Sequence, residues 1–421
     1  MVNENIKDLF KDVYGYENNI KEISAILSSF LENKLSNKGI LLYGPPGNGK
    51  SLIISKIKES NLFNCYIFAG KEEEVAKEFD EFYEKIKKEV EENKNHVNKK
   101  PTIIILDEIN NLLEKDYRFE RILKTKMDGV EKVNDDILFI GATNTVLSID
   151  RSFLRGKRFD KVIYFPYLDQ NQLFSYFLVK LKENNIKLEK GIENDHLEYF
   201  LIDKSLSDIH ALVSSICLHC KFKNELNKYD LVDQFILFFD RAKADEKTRI
   251  KEICYHEAAH ALMCEKYSDF FYAYFLEMND NGGKCHYYDK KSDYQTYSYR
   301  IAEIDISYAG PAFERILSKE CSAGDESDLN SARARANNLV NRLGYKHFYN
   351  TLGESGNDRA RQPTLFKARK NEKYVEKLLK SREKKVYRYL KKNKDKVIKL
   401  GDELYKRGYL IRCDIDRILS C

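Results

Sequence analysis

The chain has 421 residues, more than one hydrophobic core ordinarily serves, so two or three domains are expected. Apolar residues make up 43% and charged residues 33%, which argues against a disordered chain, and 72 Lys and Arg nearly balance 67 Asp and Glu, so a net charge of +5 gives no global field for nucleic acid. Nine cysteines without paired spacings, an opening Met-Val-Asn-Glu-Asn that is no leader, and no apolar run near the ~20 residues of a bilayer crossing imply a soluble, cytoplasmic chain with reduced thiols and no integral membrane segment.

In chain order, the first informative segment is residues 39–51. A short apolar strand ending at Tyr43 runs into Gly44, Pro45, Pro46, Gly47, Asn48, Gly49, Lys50 and Ser51, and an apolar-periodic helix begins near Leu52. This is a Walker A loop. Its glycines let successive backbone N–H groups point at phosphate oxygens, Lys50 sets a cation against the β and γ phosphates of ATP, and Ser51 offers a hydroxyl to Mg²⁺. The next apolar β-branched run, 102–106, reads as a strand buried on both faces and ends in two carboxylates, Asp107 and Glu108. At that carboxyl edge Asp107 would hold Mg²⁺ through its water shell and Glu108 would polarise the attacking water. A third strand, 137–142, leads to Thr143 and Asn144, whose amide could orient the same water; an Asn after a strand is also a common turn former.

Residues Phe153-Leu-Arg155-Gly-Lys-Arg158-Phe-Asp160, taken with these elements, resemble the second region of homology of the AAA+ ATPases. The resemblance implies that Arg155 and Arg158 act in trans on the neighbouring subunit's ATP within a ring. It also implies that the turn at Gly15, in Phe10-Lys-Asp-Val-Tyr-Gly15, contacts adenine.

After a polar, helix-patterned stretch comes Ile253-Cys-Tyr-His256-Glu257-Ala-Ala-His260, an HExxH motif. On a helix, positions i and i+4 share a face, so His256 and His260 can both turn a ring nitrogen to one Zn²⁺ while Glu257 reaches the attacking water as general base. The small residues Ala258, Ala259 and Ala261 predict a buried helix, and a buried helix carries two imidazoles and a carboxylate only with a compensating partner such as a metal. Two histidines leave a catalytic zinc one protein ligand short. Downstream, Asp325, Glu326 and Asp328 are all within reach by spacing, and an acidic first turn of a helix is the bland alternative for each.

An AAA+ module followed by this motif resembles the FtsH-type ATP-dependent zinc metalloproteases from Phe10 nearly to the C-terminus. The resemblance implies that Asp328, in Gly324-Asp-Glu-Ser-Asp328-Leu329, is the third ligand. It also implies a homo-hexameric ring acting on protein or peptide substrates. Two departures stand out: the family's N-terminal membrane anchor is missing, and Lys71-Glu-Glu-Glu-Val-Ala replaces its aromatic pore loop. The family's Gly-Gly-Arg appears as Ala309-Gly310-Pro311, which questions the local helix geometry.

Three further features carry little functional weight. Cys217-Leu-His-Cys220 falls in a helical apolar pattern, and Cys285-His286, expected in a polar turn beside Gly282-Gly283, is a weak metal candidate. Residues 367–399 hold fifteen basic and four acidic side chains, but Val375, Leu378, Leu379, Val386 and Leu390 recur at helical spacing, so an amphipathic helix with a solvated face is expected. The fold expected overall is an α/β AAA+ module followed by a mainly α-helical metallopeptidase domain, divided into 1–165 (nucleotide-binding), 166–245 (helical lid) and 246–421 (peptidase). The function expected is zinc proteolysis driven by ATP, with a remodelling or scaffold ATPase as the alternative.

Overall fold

A computed structural model describes residues 6, 8–32, 39–70, 74–93, 100–128, 137–145, 150, 153, 158–219, 223, 225–239, 250–279, 282–290, 296–318, 325–342 and 365–420. The chain divides into two compact units, one formed by Met1–Lys187 with Phe200–Glu225, the other by Leu188–Tyr199 with Leu226–Cys421. Among the described residues no helix is long and apolar enough to cross a membrane.

The first unit is built on a five-stranded parallel sheet. Strands β1 (Gly39–Tyr43), β2 (Asn64–Phe68), β3 (Thr102–Leu106), β4 (Ile137–Thr143) and β5 (Lys161–Tyr164) lie in the order β2-β3-β4-β1-β5. Every residue of β3 and β4 is buried, as continuous β-branched runs demand when helices cover both faces. The flanking helices include α1 (Glu17–Leu31), α2 (Lys50–Glu59), α3 (Val75–Glu92), α4 (Ile109–Lys115) and α5 (Tyr117–Asp128). Two more, α6 (Gln170–Glu183) and α7 (Leu206–His219), pack on each other. Phe79, Tyr83 and Ile86 of α3 are fully buried, and Phe79 meets Phe119 edge to face at 5.2 Å, so these side chains form core. The acidic segment 71–73 just before α3 lies outside the described residues.

The second unit is organised around α9 (Lys251–Lys266), which carries the HExxH motif and is buried continuously from His256 to Cys264. Small side chains make this possible: Ala258, Ala259 and Ala261 let neighbours approach, and Gly401 does the same from α14 (Lys394–Arg407), where a Cβ would stand 2.3 Å from the Tyr255 ring. Around α9 lie α10 (Tyr297–Ser307), α11 (Ala309–Leu317), α12 (Asp325–Asn337), α13 (Leu365–Lys392) and α15 (Arg412–Ser420), while α8 (Lys228–Phe238) meets α15 through the Tyr229 hydroxyl, which donates to Asp414 Oδ1 at 3.0 Å. The basic stretch falls on α13 and α14, with Val375, Leu379, Val386 and Leu390 turned into the core and the lysines left outside, as the spacing predicts.

One part differs from the sequence reading. Residues 271–289 form an antiparallel hairpin, β6 (Phe271–Asn279) and β7 (Gly282–Asp289), with β8 (Tyr409–Ile411) on the other side of β6, giving the order β7-β6-β8. Cys285 and His286 therefore sit in a strand rather than a turn, and His286 meets the buried Glu277 at 2.8 Å across the hairpin. Cys217 lies on α7, and Cys220 lies outside the described residues.

A buried ion pair ties three helices of the second unit together. Asp305 of α10, fully buried, accepts from Arg382 Nε and Nη2 of α13 at 2.7 and 2.5 Å and from the Tyr267 hydroxyl, just past α9, at 2.5 Å. Among the described residues, Arg382→Met leaves that carboxylate with the Tyr267 hydroxyl and Lys266 at 4.0 Å. Because orphaning one member of a buried pair costs about 3 kcal/mol, this variant is expected to lower the denaturant midpoint of the second unit clearly. The double variant with Asp305→Asn should recover part of the loss, both read by circular dichroism.

Candidate metal centre and nucleotide loop

In the first unit, β1 delivers the chain into a loop that only glycine can follow at two points. Gly44 has φ +145° and a Cβ there would lie 2.1 Å from the Phe165 carbonyl; Gly47 has φ +77° and would strike Ser205 Oγ at 2.5 Å. Lys50, 6% exposed at the start of α2, folds its ammonium over this loop and donates to Gly44 O (2.7 Å), Pro45 O (2.9 Å) and Asn144 Oδ1 (3.0 Å). Burial pushes its pKa down, opposed by the charges of Glu108 and Asp107. Asn144 Nδ2 in turn donates to Glu108 Oε1 at 2.9 Å, so Lys50, Asn144 and Glu108 form one polar chain across the carboxyl ends of β1, β3 and β4.

Glu108 holds a left-handed backbone, φ +48°, immediately after β3, a conformation disfavoured for a residue with a side chain and typical of functional turns. The backbone N–H of Glu108 donates to Asp107 Oδ1 at 3.1 Å. Asn48 donates to Pro166 O at 3.1 Å, Ser51 is exposed on the first turn of α2, and Pro46 and Gly49 complete the loop. Gly15, φ +80°, lies against Leu168, where a Cβ would stand 2.6 Å from a methyl carbon. Arg158 makes a two-point ion pair with Asp128, at 2.7 and 2.6 Å, within its own chain. Arg155 lies outside the described residues.

In the second unit, α9 turns His256 and His260 to one side, one helical turn apart, and α12 brings Asp328 against both. Asp328 Oδ2 is 3.0 Å from each Nε2, and the three ligand atoms lie within 4.8 Å of one another. Each ring is held from behind. His260 Nδ1 is 2.8 Å from the Ile306 carbonyl, which can only accept, so Nδ1 carries a proton and Nε2, facing Asp328, is the nitrogen available to ligate a metal. His256 Nδ1 is 2.7 Å from Glu314 Oε1. Burial alone would disfavour a charged His256, but the Asp328 and Glu314 carboxylates outweigh it and raise its pKa to about 10. Burial likewise opposes ionisation of Asp328, and the two imidazoles outweigh it, holding that carboxyl far below its ordinary range.

Two imidazole nitrogens and one carboxylate oxygen aimed at one point, with both rings fixed through Nδ1, form a donor set that fits Zn²⁺ with a coordination position to spare. Glu326 is exposed and outside this cluster, and the side chain of Asp325 is not described. Gly310 at the start of α11 lies against the His256 ring, where a Cβ would be 2.1 Å from Nε2, so only a residue without a side chain lets α11 approach the ligand this closely. Glu257, 9% exposed, points into the same cavity, of about 1080 Å³, and rests on Gly283 of β7, where a Cβ would meet its Cγ at 2.7 Å. Glu314, the Ile306 carbonyl, Gly310 and Gly283 were not legible as site residues, since nothing in their spacing from HExxH signals them.

Residues 40–167 match the family model of the "ATPase family associated with various cellular activities (AAA)". The chain is similar over 98% of its length, at 26% identity, to the ATP-dependent zinc metalloprotease FtsH of Karelsulcia muelleri, covering 71% of that protein. It is 25% identical to the ATP-dependent zinc metalloprotease FtsH 2 of a Thermoanaerobacter species, over 97% of this chain and 82% of the relative. It is also 25% identical to the mouse ATP-dependent zinc metalloprotease YME1L1, over 80% of this chain and 50% of the relative. The first unit thus contains an AAA ATPase module, and the likeness to FtsH and YME1 proteins runs through both units.

Two variants test the metal centre without touching a ligand. Glu314→Ala frees the His256 ring and is expected to weaken Zn²⁺ binding about 10- to 100-fold. Gly310→Ala forces a methyl onto His256 Nε2 and should weaken it at least as much, with helical content unchanged. Competition against a chromogenic chelator measures both.

Proposed function

We propose that this chain is an ATP-dependent zinc metalloprotease. The observation that carries the reading is the convergence of His256, His260 and Asp328 in one cavity with the Glu257 carboxylate beside them. Bound there, Zn²⁺ would supply Lewis-acid polarisation of the scissile carbonyl and a more acidic attacking water. Glu257, held against Gly283, takes the proton of that water and then passes it to the departing amine. Glu314 and the Ile306 carbonyl keep the two imidazoles in the ligating orientation throughout.

Strand β7 supports the same reading. It is an edge strand of its sheet, and Gly282, Gly283, Lys284 and Cys285 line the cavity, so an extended peptide can add to its free edge by main-chain hydrogen bonds.

In the proposal ATP is held by the loop from Gly44 to Ser51, with Gly15 at the base. Lys50 leaves the loop carbonyls for the phosphates, Ser51 and Asp107 serve Mg²⁺, and Glu108 and Asn144 position the attacking water. Arg155 and Arg158 act on the neighbouring subunit's nucleotide in a homo-hexameric ring, for which Arg158 must exchange Asp128 for phosphate. The division of labour is 1–165 for nucleotide, 166–245 as lid and 246–421 for peptide hydrolysis. Protein substrates are delivered to the zinc site by the ATPase cycle.

Casein degradation followed in the presence of Zn²⁺ tests the coupling. Wild type with ATP is expected to degrade it, while Glu257→Gln should lose at least 100-fold in rate, the contribution of a positioned general base. Withholding ATP, or Lys50→Ala, should stop degradation of the protein substrate. ATP hydrolysis by wild type with casein left intact would replace the proteolytic reading with that of a remodelling ATPase.

A further inference from the structure

The cavity that holds Glu257 and the three clustered ligands has a charged wall that the chemistry above does not use. Arg335 lies on α12 seven residues beyond Asp328, two turns along the same helix face and ~10 Å away at 1.5 Å per residue. Its side chain is 26% exposed and lines the cavity. Nη1 donates to the Glu303 carbonyl at 3.2 Å and to Ser307 Oγ, so the guanidinium is anchored one residue from the Ile306 carbonyl that orients His260.

The carboxylate closest to Arg335 is Glu303, with Oε1 3.5 Å from Nε, but Glu303 is engaged more tightly by Arg300 at 2.7 Å. Glu303 is thus shared between two guanidiniums, and of the two Arg335 is the one on the cavity. Tyr287 of β7 also lines the cavity near Arg335, adding a phenol that can donate to a bound carboxylate. Of the acidic groups beside the ligands, Asp328 faces both imidazoles, Glu314 faces His256, and Glu257 is the general base of the proposed reaction. Glu252 and Lys284, one of each sign, are exposed at the cavity's rim.

We propose that Arg335, with Tyr287, forms a carboxylate-accepting subsite beside the His260 side of the cavity and selects peptides that present an acidic group next to the scissile bond. With Nη1 committed to the Glu303 carbonyl and Ser307 Oγ and Nε turned to Glu303 Oε1, the guanidinium is preorganised to donate through Nη2 to a carboxylate at little entropic cost, and a half-buried setting strengthens that contact over a surface pair. The acidic group is an Asp or Glu side chain or the free C-terminal carboxylate of a short peptide. This inference rests on the proteolytic reading for its consequence, but the subsite itself is a binding property.

The test uses quenched fluorescent peptides, identical except for Glu, Gln or Lys at each position flanking one scissile bond, and a Gln peptide ending either in a free carboxylate or in an amide. With the full chain, Zn²⁺ and ATP, the acidic peptides are expected to show kcat/KM about tenfold above their Gln or amide counterparts, the order of one charge-assisted contact. Arg335→Gln should bring that ratio close to one, and Arg335→Lys, which keeps the charge, should retain most of it. A preference confined to Glu assigns the subsite to a side chain, and one confined to the free carboxylate assigns it to a C-terminus. Equal cleavage of acidic and neutral peptides by wild type, or a preference that survives Arg335→Gln, overturns the proposal. Binding of the same peptides to Glu257→Gln, read by fluorescence anisotropy, separates the two readings. If nothing is cleaved yet acidic peptides bind about tenfold tighter in an Arg335-dependent way, proteolysis fails and the subsite stands; binding without preference sinks the subsite alone.

Discussion

Two imidazoles buried one turn apart on α9 set the terms for the rest of the second unit. Water is largely gone from that helix face, so each ring nitrogen needs a partner supplied by the fold, and four nitrogens require four. Two are met from behind, by Glu314 of α11 and by the Ile306 carbonyl of α10. The other two are met from the front by a single oxygen, Asp328 Oδ2. One acceptor facing two nitrogens is a poor hydrogen-bond arrangement and a good metal site. The elements that must be adjacent to α9 are therefore those bearing these groups, and the Asp305–Arg382–Tyr267 cluster holds α10 and α13 to the end of α9 by the same principle of matched buried polarity.

The nucleotide loop poses the related problem of a single desolvated cation. Lys50 is almost fully buried and solves it with two carbonyls of its own loop and the Asn144 amide oxygen. Its binding energy toward a phosphate is then a difference between two well-satisfied states, and the displaced Asn144 is already bonded to Glu108. A movement of the lysine head is thereby felt at the carboxylate two strands away in the sheet. The left-handed backbone at Glu108 keeps that carboxylate at the strand end, where the chain would otherwise run straight into α4.

How much of this was readable beforehand follows from how local each feature is. The loop from Gly44 to Ser51, the carboxylates after β3 and the HExxH face are set by spacing within one strand-turn or one helix, and the parallel sheet followed from buried β-branched runs. Asp328 lies about seventy residues from the histidines, and only the family likeness singled it out from Asp325 and Glu326. Glu314 and the Ile306 carbonyl were hidden for different reasons: a glutamate in a helix is ordinary, and a backbone carbonyl has no sequence signature. The hairpin β6–β7 was missed because its outer strand, Gly-Gly-Lys-Cys-His-Tyr-Tyr-Asp, is half-buried along most of its length and lacks a clean two-residue alternation. Gly283, a residue type that marks turns elsewhere, here makes room for Glu257 instead.

The substitution of Ala309-Gly310-Pro311 for the family's usual residues looked hostile to a helix, and the fold resolves it by placing a break there. Helix α10 ends at Ser307 and α11 starts at Ala309, so Pro311 falls in the first turn, where a missing N–H removes no helical bond that the turn could otherwise make. The break does more than accommodate a proline. A continuous helix would use the Ile306 carbonyl for the amide of residue 310, whereas here that carbonyl holds His260. Gly310 can press its bare Cα against the His256 ring because the new helix begins at that point, and Glu314 follows one turn later to receive His256 Nδ1. Both imidazoles are thus oriented by one interruption, through a carbonyl just before it and a carboxylate just after it. An uninterrupted helix through this segment could supply one of these contacts at the expense of the other.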